Sequence, residues 1–302
     1  MRCLALRLLL LAVALASTEA AWATEPARFF VMGDGRLAVA HAHTGARADV
    51  RYRRPDGSYD AGALGTIRRA FRSAGDGGPG KASLRLIEVL SHLQHTTGVR
   101  PLSLVSGYRS PTYNEGLRQR GAKAAGGSLH TEGLAADVAF PRALLRDLWL
   151  ELRRLECCGA GYYATNGFLH VDVGRPRFWE PTTSRVDENL SAGNARIFAR
   201  TEFDRYARGE PIVLTVHALT VPPLRLKATT TLVAASGPDV PVHLEAPGLA
   251  ADDGCLELPA TGTEVRVAGV ESAARGHLVL STCEPRIERT PPTVETNPLE
   301  VR

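Results

Sequence analysis

Aromatic residues make up only 6% of the 302 residues, no long lysine or arginine run occurs, and no internal repeat is found. Beyond the first twenty-odd positions no apolar stretch approaches the roughly 20 residues that cross a bilayer, so no membrane span is expected in the mature chain. The net charge of +4 is a mild excess that suits an anionic polymer surface and falls short of a nucleic-acid-binding signature. What is present, 44% hydrophobic and 23% charged residues, is enough for one or two domains with real cores and excludes a disordered chain or a small disulfide knot.

Arg2 and Arg7 flank the start of an apolar run from Leu8 to Ala16, followed by Ala21-Trp22-Ala23. This is the pattern of a secretory signal, so residues 1–23 are expected to be removed and the protein to reach the periplasm or the outside. No Arg-Arg pair marks a twin-arginine leader. Cys3 precedes the apolar run, whereas a lipoprotein cysteine would follow it, and it is expected to leave with the leader. Export permits disulfides, and Cys255 and Cys283, within one β-rich region, are expected to bond. Cys157 and Cys158 are neighbours, read as too strained to bridge each other and as small buried residues before a tight Gly159-Ala160-Gly161 turn.

Short alternating apolar stretches over residues 28–54 predict a β-hairpin or meander. Asp60 is placed to cap a helix running to about Ser73, and Leu86, Ile87, Leu90 and Leu93 form the buried stripe of a second that stops near Gly98. Pro101–Val105 reads as a strand. Pro141 followed by Leu145, Leu148, Leu152 and Leu155 predicts a third helix, flanked by strands over Leu134–Phe140 and Phe168–Val173. Strands and helices mixed in sequence indicate an α+β domain over residues 24–183. From residue 184 to 283 the texture becomes successive short strands between Gly, Pro and Asp turns, the pattern of a small all-β sandwich-like domain, and residues 284–302, with four prolines, read as an extended tail. The C-terminal β-domain is expected to serve targeting or binding, on composition and position alone.

Three motifs lie between residues 106 and 174: Ser106-Gly107-Tyr108-Arg109-Ser110-Pro111, then Ser128-Leu129-His130-Thr131-Glu132-Gly133-Leu134-Ala135-Ala136-Asp137, then Phe168-Leu169-His170-Val171-Asp172-Val173-Gly174. A catalytic zinc ion takes three protein ligands of His and carboxylate type and keeps one position for water, and His130, Asp137 and His170 are of the right kinds. Asp137 alternates with Ala135 and Ala139 on one strand face, where small neighbours leave room for a metal. Asp172 shares its strand face with His170, so it stands either beside the bound water as a general base or behind the ligand as its orienting partner. On residue types alone, an isolated histidine in a strand is more often an ordinary satisfied polar residue than a metal ligand. The other histidines, including His41, His43, His92, His95 and His217, and the run Arg51-Tyr52-Arg53-Arg54, read as structural or solvated.

Ser-Gly-Tyr-Arg-Ser-Pro with Asn114 three residues on, Ser-x-His-x-x-Gly-x-Ala-x-Asp and Phe-x-His-Val-Asp-x-Gly together resemble the zinc peptidoglycan peptidases. That superfamily contains D-alanyl-D-alanine carboxypeptidases, murein endopeptidases and the hedgehog signalling domain, and the resemblance is greatest to the YcbK-like murein endopeptidases. It covers residues 28–180, including His43-Thr44-Gly45, and implies a small central antiparallel sheet with flanking helices. It implies His130, Asp137 and His170 as ligands of Zn2+, Arg109 as the cation that orients a substrate carboxylate or stabilises an oxyanion, and Tyr108 and Ser128 as supporting substrate-binding residues. One departure is Gly167, which stands where the vancomycin-resistance dipeptidase branch carries its catalytic Glu. Asp172 is then the candidate base, with Glu132 as a weaker rival. The implied function is an exported zinc metallopeptidase that hydrolyses peptide cross-links or stem peptides of bacterial peptidoglycan, with a non-catalytic cell-wall-binding or scaffold protein of the same fold as the alternative. Endopeptidase and carboxypeptidase action, and oligomeric state, are left open by the sequence.

Overall fold

Asp60 accepts a hydrogen bond from Ala63 N–H and starts α1 (Ala61–Ala70), and Ser83 does the same for α2 (Leu84–Thr97), which stops where Gly98 turns left-handed at φ 69°. These elements follow the hairpin expected near the N-terminus, formed by β1 (Arg36–His41) and β2 (Arg47–Arg51). The computed structural model describes residues 27–75, 78–121, 127–183, 192–249, 251–287 and 289–302; the expected leader lies outside the described residues. After α2 come β3 (Leu102–Ser106), α3 (Pro111–Gln119), β4 (Ala135–Ala139), α4 (Arg142–Leu155), β5 (Gly159–Tyr163), β6 (Phe168–Asp172) and β7 (Arg177–Trp179).

The seven strands form one sheet in the order β2-β1-β3-β4-β6-β5-β7. It is larger than the small antiparallel sheet expected and is mixed, because β1 runs parallel to β3 and β5 parallel to β7. The β1–β3 pair requires a crossover, and α1 and α2 supply it. Leu37 and Val39 of β1, Ile67 of α1, Leu86, Leu90 and Leu93 of α2, Leu145 and Leu152 of α4, and Val138 and Leu169 of the central strands share one core.

Two local readings are corrected here. Gly159-Ala160-Gly161 is the start of β5, not a turn: a Cβ on Gly159 would stand 2.7 Å from Asp172 Oδ1 and one on Gly161 2.7 Å from the Trp179 ring, so the glycines answer to close neighbours across the sheet. Cys157 and Cys158 are disulfide-bonded to each other. They occupy the irregular link between α4 and β5, where neither helix nor strand periodicity sends adjacent side chains apart.

Beyond residue 191 the regular elements of the described residues are strands, apart from one 3₁₀ turn at Ala192–Asn194: β8 (Phe198–Thr201), β9 (Arg205–Tyr206), β10 (Ile212–His217), β11 (Leu224–Lys227), β12 (Thr229–Ala234), β13 (Val240–Glu245), β14 (Ala251–Asp252), β15 (Cys255–Leu258), β16 (Glu264–Val267), β17 (Ala274–Ser281), β18 (Thr293–Glu295) and β19 (Leu299–Val301). A nine-stranded sheet and a three-stranded sheet, β11-β15-β14, enclose a second core in which Leu226 and Leu258 meet Leu214, Val265 and Leu278. The expected Cys255–Cys283 disulfide is formed. Residues 284–302 do not trail away as a free tail, since β18 and β19 both pair with β17 and bury Val294, Leu299 and Val301.

Candidate metal centre

β4 and β6 are antiparallel neighbours in which Asp137 lies directly opposite His170 and Ala135 opposite Asp172. Opposed residues share a face, so the register alone brings Asp137, His170 and Asp172 to one side of the sheet while Ala136, Val138, Leu169 and Val171 go to the core. His130 arrives from a 3₁₀ turn, Leu129–Glu132, closed by Gly133 at φ 73°. Ser128 shapes that turn through its backbone carbonyl, which accepts from Thr131 N–H at 2.9 Å and Thr131 O–H at 2.6 Å. The His130 carbonyl in turn accepts from Arg109 N–H at 3.1 Å, stitching the first motif to the second.

Three donor atoms converge. His130 Nε2 and His170 Nδ1 are 3.3 Å apart, His170 Nδ1 and Asp137 Oδ1 are 2.8 Å apart, and His130 Nε2 and Asp137 Oδ1 are 3.4 Å apart. Tetrahedral ligands bound at about 2.0–2.1 Å stand about 3.3 Å from one another, so the set has the spacing and the chemistry that zinc takes. Among the described residues this His-Asp-His group is the one whose donors meet closely enough to hold a metal ion.

The far nitrogens fix the tautomers. His130 Nδ1 lies 2.7 Å from the Gly107 carbonyl, which can only accept, so Nδ1 carries the proton and Nε2 turns a lone pair inward. His170 Nε2 lies 3.0 Å from Asp172 Oδ2 and donates to it, which aims Nδ1 at the same point. Burial alone would raise the Asp137 carboxyl, but His130 and His170 hold it well below the usual carboxylate range. Burial would likewise lower His170, yet Asp137 and Asp172 outweigh it and raise the ring, while burial and Arg109 lower His130.

Asp172 is fully buried behind His170, not beside the convergent atoms. Its Oδ1 accepts from Gly174 N–H at 2.9 Å, and Arg177 grips both oxygens at 3.2 and 2.8 Å. Burial pushes its pKa up, but Arg177, His170 and the Gly174 amide win and bring it to about 2. Of the two roles open to it in the sequence, its position is that of the orienting partner. Glu132, the rival base, points away from the triad altogether, to His217 Nδ1 at 2.8 Å. Apart from Asp137 and Asp172, no carboxylate of the described residues hydrogen-bonds to either imidazole of the triad.

Arg109 reaches the centre as expected but engages Asp137: Nη2 donates to Oδ2 at 2.7 Å and Nε to Ser106 Oγ at 2.9 Å. The Tyr108 ring faces the Lys81 ammonium, 5.3 Å from its centroid, and the structure does not bring it to the triad. Three participants were not singled out in the sequence: Ser106, Arg177 and Trp179, whose ring lies 5.2 Å from that of His170 and whose N–H donates to Tyr163 O–H at 3.2 Å. The signal for Trp179 was Gly161, the residue opposite His170 in β5, whose missing side chain makes the space the indole fills.

Residues 32–179 match the family model described as peptidoglycan L,D-endopeptidase MepK, which bears out the resemblance read from the three motifs. The peptidoglycan L,D-endopeptidase MepK of Escherichia coli K12 is 37% identical over 95 residues, 31% of this chain and 52% of that protein. The probable peptidoglycan L,D-endopeptidase MepK of Haemophilus influenzae is 30% identical over 102 residues, 33% of this chain and 55% of that protein. The chain therefore spans about half the length of the curated relatives it matches. No solved structure matches.

Proposed function

Taking residues 32–179 as a domain of the peptidoglycan-peptidase family, we propose that the protein is an exported zinc metallopeptidase that cleaves an amide bond between an L- and a D-centre in the peptide part of bacterial peptidoglycan. The observation that carries this reading is the convergence of three potential ligand atoms, His130 Nε2, His170 Nδ1 and Asp137 Oδ1, within 3.4 Å of one another. The L,D preference comes from the names of the relatives, the cross-link as target from the resemblance carried by the three motifs, and an exported location follows from a peptidoglycan substrate. No helix among the described residues is long and apolar enough to cross a membrane.

Zinc held by these residues supplies the Lewis acid that polarises a scissile carbonyl and makes water nucleophilic near neutral pH. His130, Asp137 and His170 hold it, and the Gly107 carbonyl and Asp172 carboxylate keep the ring protons on the outer nitrogens. Arg109 neutralises the outer oxygen of Asp137 through Nη2, which leaves Nη1 to meet a substrate carboxylate or a developing oxyanion. Trp179 and Tyr163 wall the His170 side and give the peptide a flat surface to lie against.

We assign no side chain as general base, because Asp172 faces His170 Nε2 and Glu132 faces His217. That observation favours a second reading, a wall-binding protein that keeps the metal site without turnover. Purified protein incubated with L,D- and D,D-cross-linked muropeptides, with zinc and with a chelator, separates the two. Zinc-dependent cleavage of the L,D-linked material is expected; zinc-loaded protein that binds muropeptides and leaves them intact is the scaffold.

A further inference from the structure

The residue two positions after His130 does not belong to the metal centre and yet is one of the most fully bonded carboxylates in the molecule. Glu132 Oε2 accepts from Thr261 O–H at 2.8 Å and faces His217 Nδ1 at 2.8 Å, while Oε1 accepts from Ala218 N–H at 3.1 Å. All three partners come from the C-terminal β-rich part, 85 or more residues away in sequence. The carboxylate is held at three points.

Nor is the contact isolated. Phe198 and Ala218 bury their side chains in the core of the N-terminal sheet. The guanidinium of Arg200, nine-tenths buried, donates to the Gly174 carbonyl, two residues past Asp172, and Arg175 donates to the Ile197 carbonyl at 2.6 Å. Arg85 of α2 pairs with Asp204. The β-rich part thus holds the chain just after each of the two metal-binding histidines, at Glu132 and at Gly174.

We propose that Glu132 is a positioning residue through which the C-terminal β-rich part presets the His130 ligand, so that this part is a structural component of the metal centre and not an appended targeting module. The Leu129–Glu132 turn has a single helical turn's worth of backbone bonds, and His130 enters it with its ring already bound to Gly107. A four-residue turn cannot hold a ligand to within a few tenths of an ångström by itself. Anchoring its last residue at three points to a rigid sheet removes the freedom of its carbonyls and Cα positions, and His130 Nε2 stays aimed at Asp137 and His170 with or without an ion.

This inference rests on the triad binding metal, and the test separates its failure from the failure of that reading by measuring affinity without turnover. Zinc is titrated against a chromophoric chelator in the full mature chain and in Glu132→Ala, His217→Ala, the double variant, Thr261→Ala, Glu132→Gln and Cys255→Ser/Cys283→Ser. Glu132→Ala and His217→Ala are each expected to weaken zinc binding about tenfold, the size typical of losing an outer support of a metal ligand. The double variant is expected to be no weaker than the worse single one, because both break the same link. Glu132→Gln keeps wild-type affinity, since its amide still accepts from Ala218 N–H and donates to the other tautomer of His217. Should Glu132→Ala not fold, the exposed Thr261→Ala change, which removes one of the three bonds, reads the same effect at reduced size. Removing the Cys255–Cys283 bond lowers the stability of the β-rich part without touching Glu132 and is expected to leave zinc affinity unchanged. The proposal is overturned if Glu132→Ala and His217→Ala lower the melting temperature but bind zinc as the wild type does, or if the disulfide variant loses as much affinity as they do. A wild-type chain that binds no zinc overturns the site itself.

Discussion

Replacing Asp172 by Asn keeps the shape of the side chain and inverts what His170 experiences. The carboxylate accepts three kinds of bond: from His170 Nε2–H at 3.0 Å, from Gly174 N–H at 2.9 Å and from the Arg177 guanidinium at 2.8 Å. An asparagine has one oxygen. Two of the three partners, Gly174 N–H and Arg177, can only donate, so the carbonyl oxygen takes the Oδ1 position, where Gly174 N–H and Arg177 Nη1 reach it, and the NH2 group takes the Oδ2 position, facing His170 Nε2 and giving up the Arg177 Nη2 bond. The ring must then carry its proton on Nδ1, the atom aimed at Asp137 Oδ1, and that proton blocks the site; wrong-tautomer carboxamide variants of catalytic triads lose activity for the same reason. Loss of an outer partner of a metal-bound histidine costs 10- to 100-fold in affinity, or about 1.4–2.8 kcal/mol. Asp172→Asn is therefore expected to bind zinc at least tenfold more weakly in a competitive chelator titration, with near-native far-UV dichroism, and to recover cleavage of cross-linked muropeptides in part as zinc is raised. If the variant binds zinc as tightly as the wild type and has simply lost turnover at saturating zinc, Asp172 is the proton acceptor and the positioning argument is wrong.

Three further outcomes concern the scaffold. Glu88 is fully buried in α2 and receives Arg53 Nε at 2.9 Å, Tyr52 O–H at 2.8 Å and Tyr59 O–H at 3.2 Å; Glu88→Ala strands a partly buried guanidinium and is expected to cost about 3–5 kcal/mol in urea unfolding, whereas a loss under about 1 kcal/mol means that Arg53 turns out to solvent instead. Opening the Cys255–Cys283 loop with the double serine variant should lower stability by about 2–4 kcal/mol, read as an earlier melting of the β-rich part, and an unchanged melt contradicts it. His41 is buried, and burial together with His43 and Arg72 lowers its pKa below 6.5. The unfolded chain then binds its proton first, so stability is full above about pH 6.5 and declines as the pH drops through the lowered folded value. Thermal midpoints measured across that range should fall more steeply for the wild type than for His41→Asn, whose amide oxygen keeps the bond from His43 N–H; parallel slopes would refute the assignment.

Periodicity and caps made most of the fold readable. Asp60, Gly98 and the leucine stripe of α4 each mark an element by a local rule, and those elements lie where they were expected. What escaped was set by distant partners. β5 reads as a turn because glycines break strands, but Gly159 and Gly161 are there to admit Asp172 and Trp179 from neighbouring strands. The prolines of residues 284–302 suggest a free tail, yet the hydrophobic Val294, Leu299 and Val301 find a ready edge on β17, and long-range pairing overrides composition. The run Arg51-Tyr52-Arg53-Arg54 looks like a solvated edge until Glu88, a buried charged residue of α2, supplies the partner that makes Tyr52 and Arg53 structural.

The centre divides along the same line. Which residues meet followed from the resemblance of three motifs to a known family, and in the structure it is strand register that sets Asp137 against His170. What each residue does there depends on the atoms behind it, and these are scattered: a carbonyl at Gly107, a guanidinium at Arg177, an amide at Gly174, an imidazole at His217. Asp172 and Glu132 illustrate it. Both are acids within two residues of a histidine of the triad, and adjacency made both candidate bases. Each has its oxygens already occupied by donors, and a carboxylate held by three donors has little basicity left for a water proton. An acid that is free to act as base must be under-bonded, and under-bonding is a property of the packed surroundings that no spacing in the chain discloses.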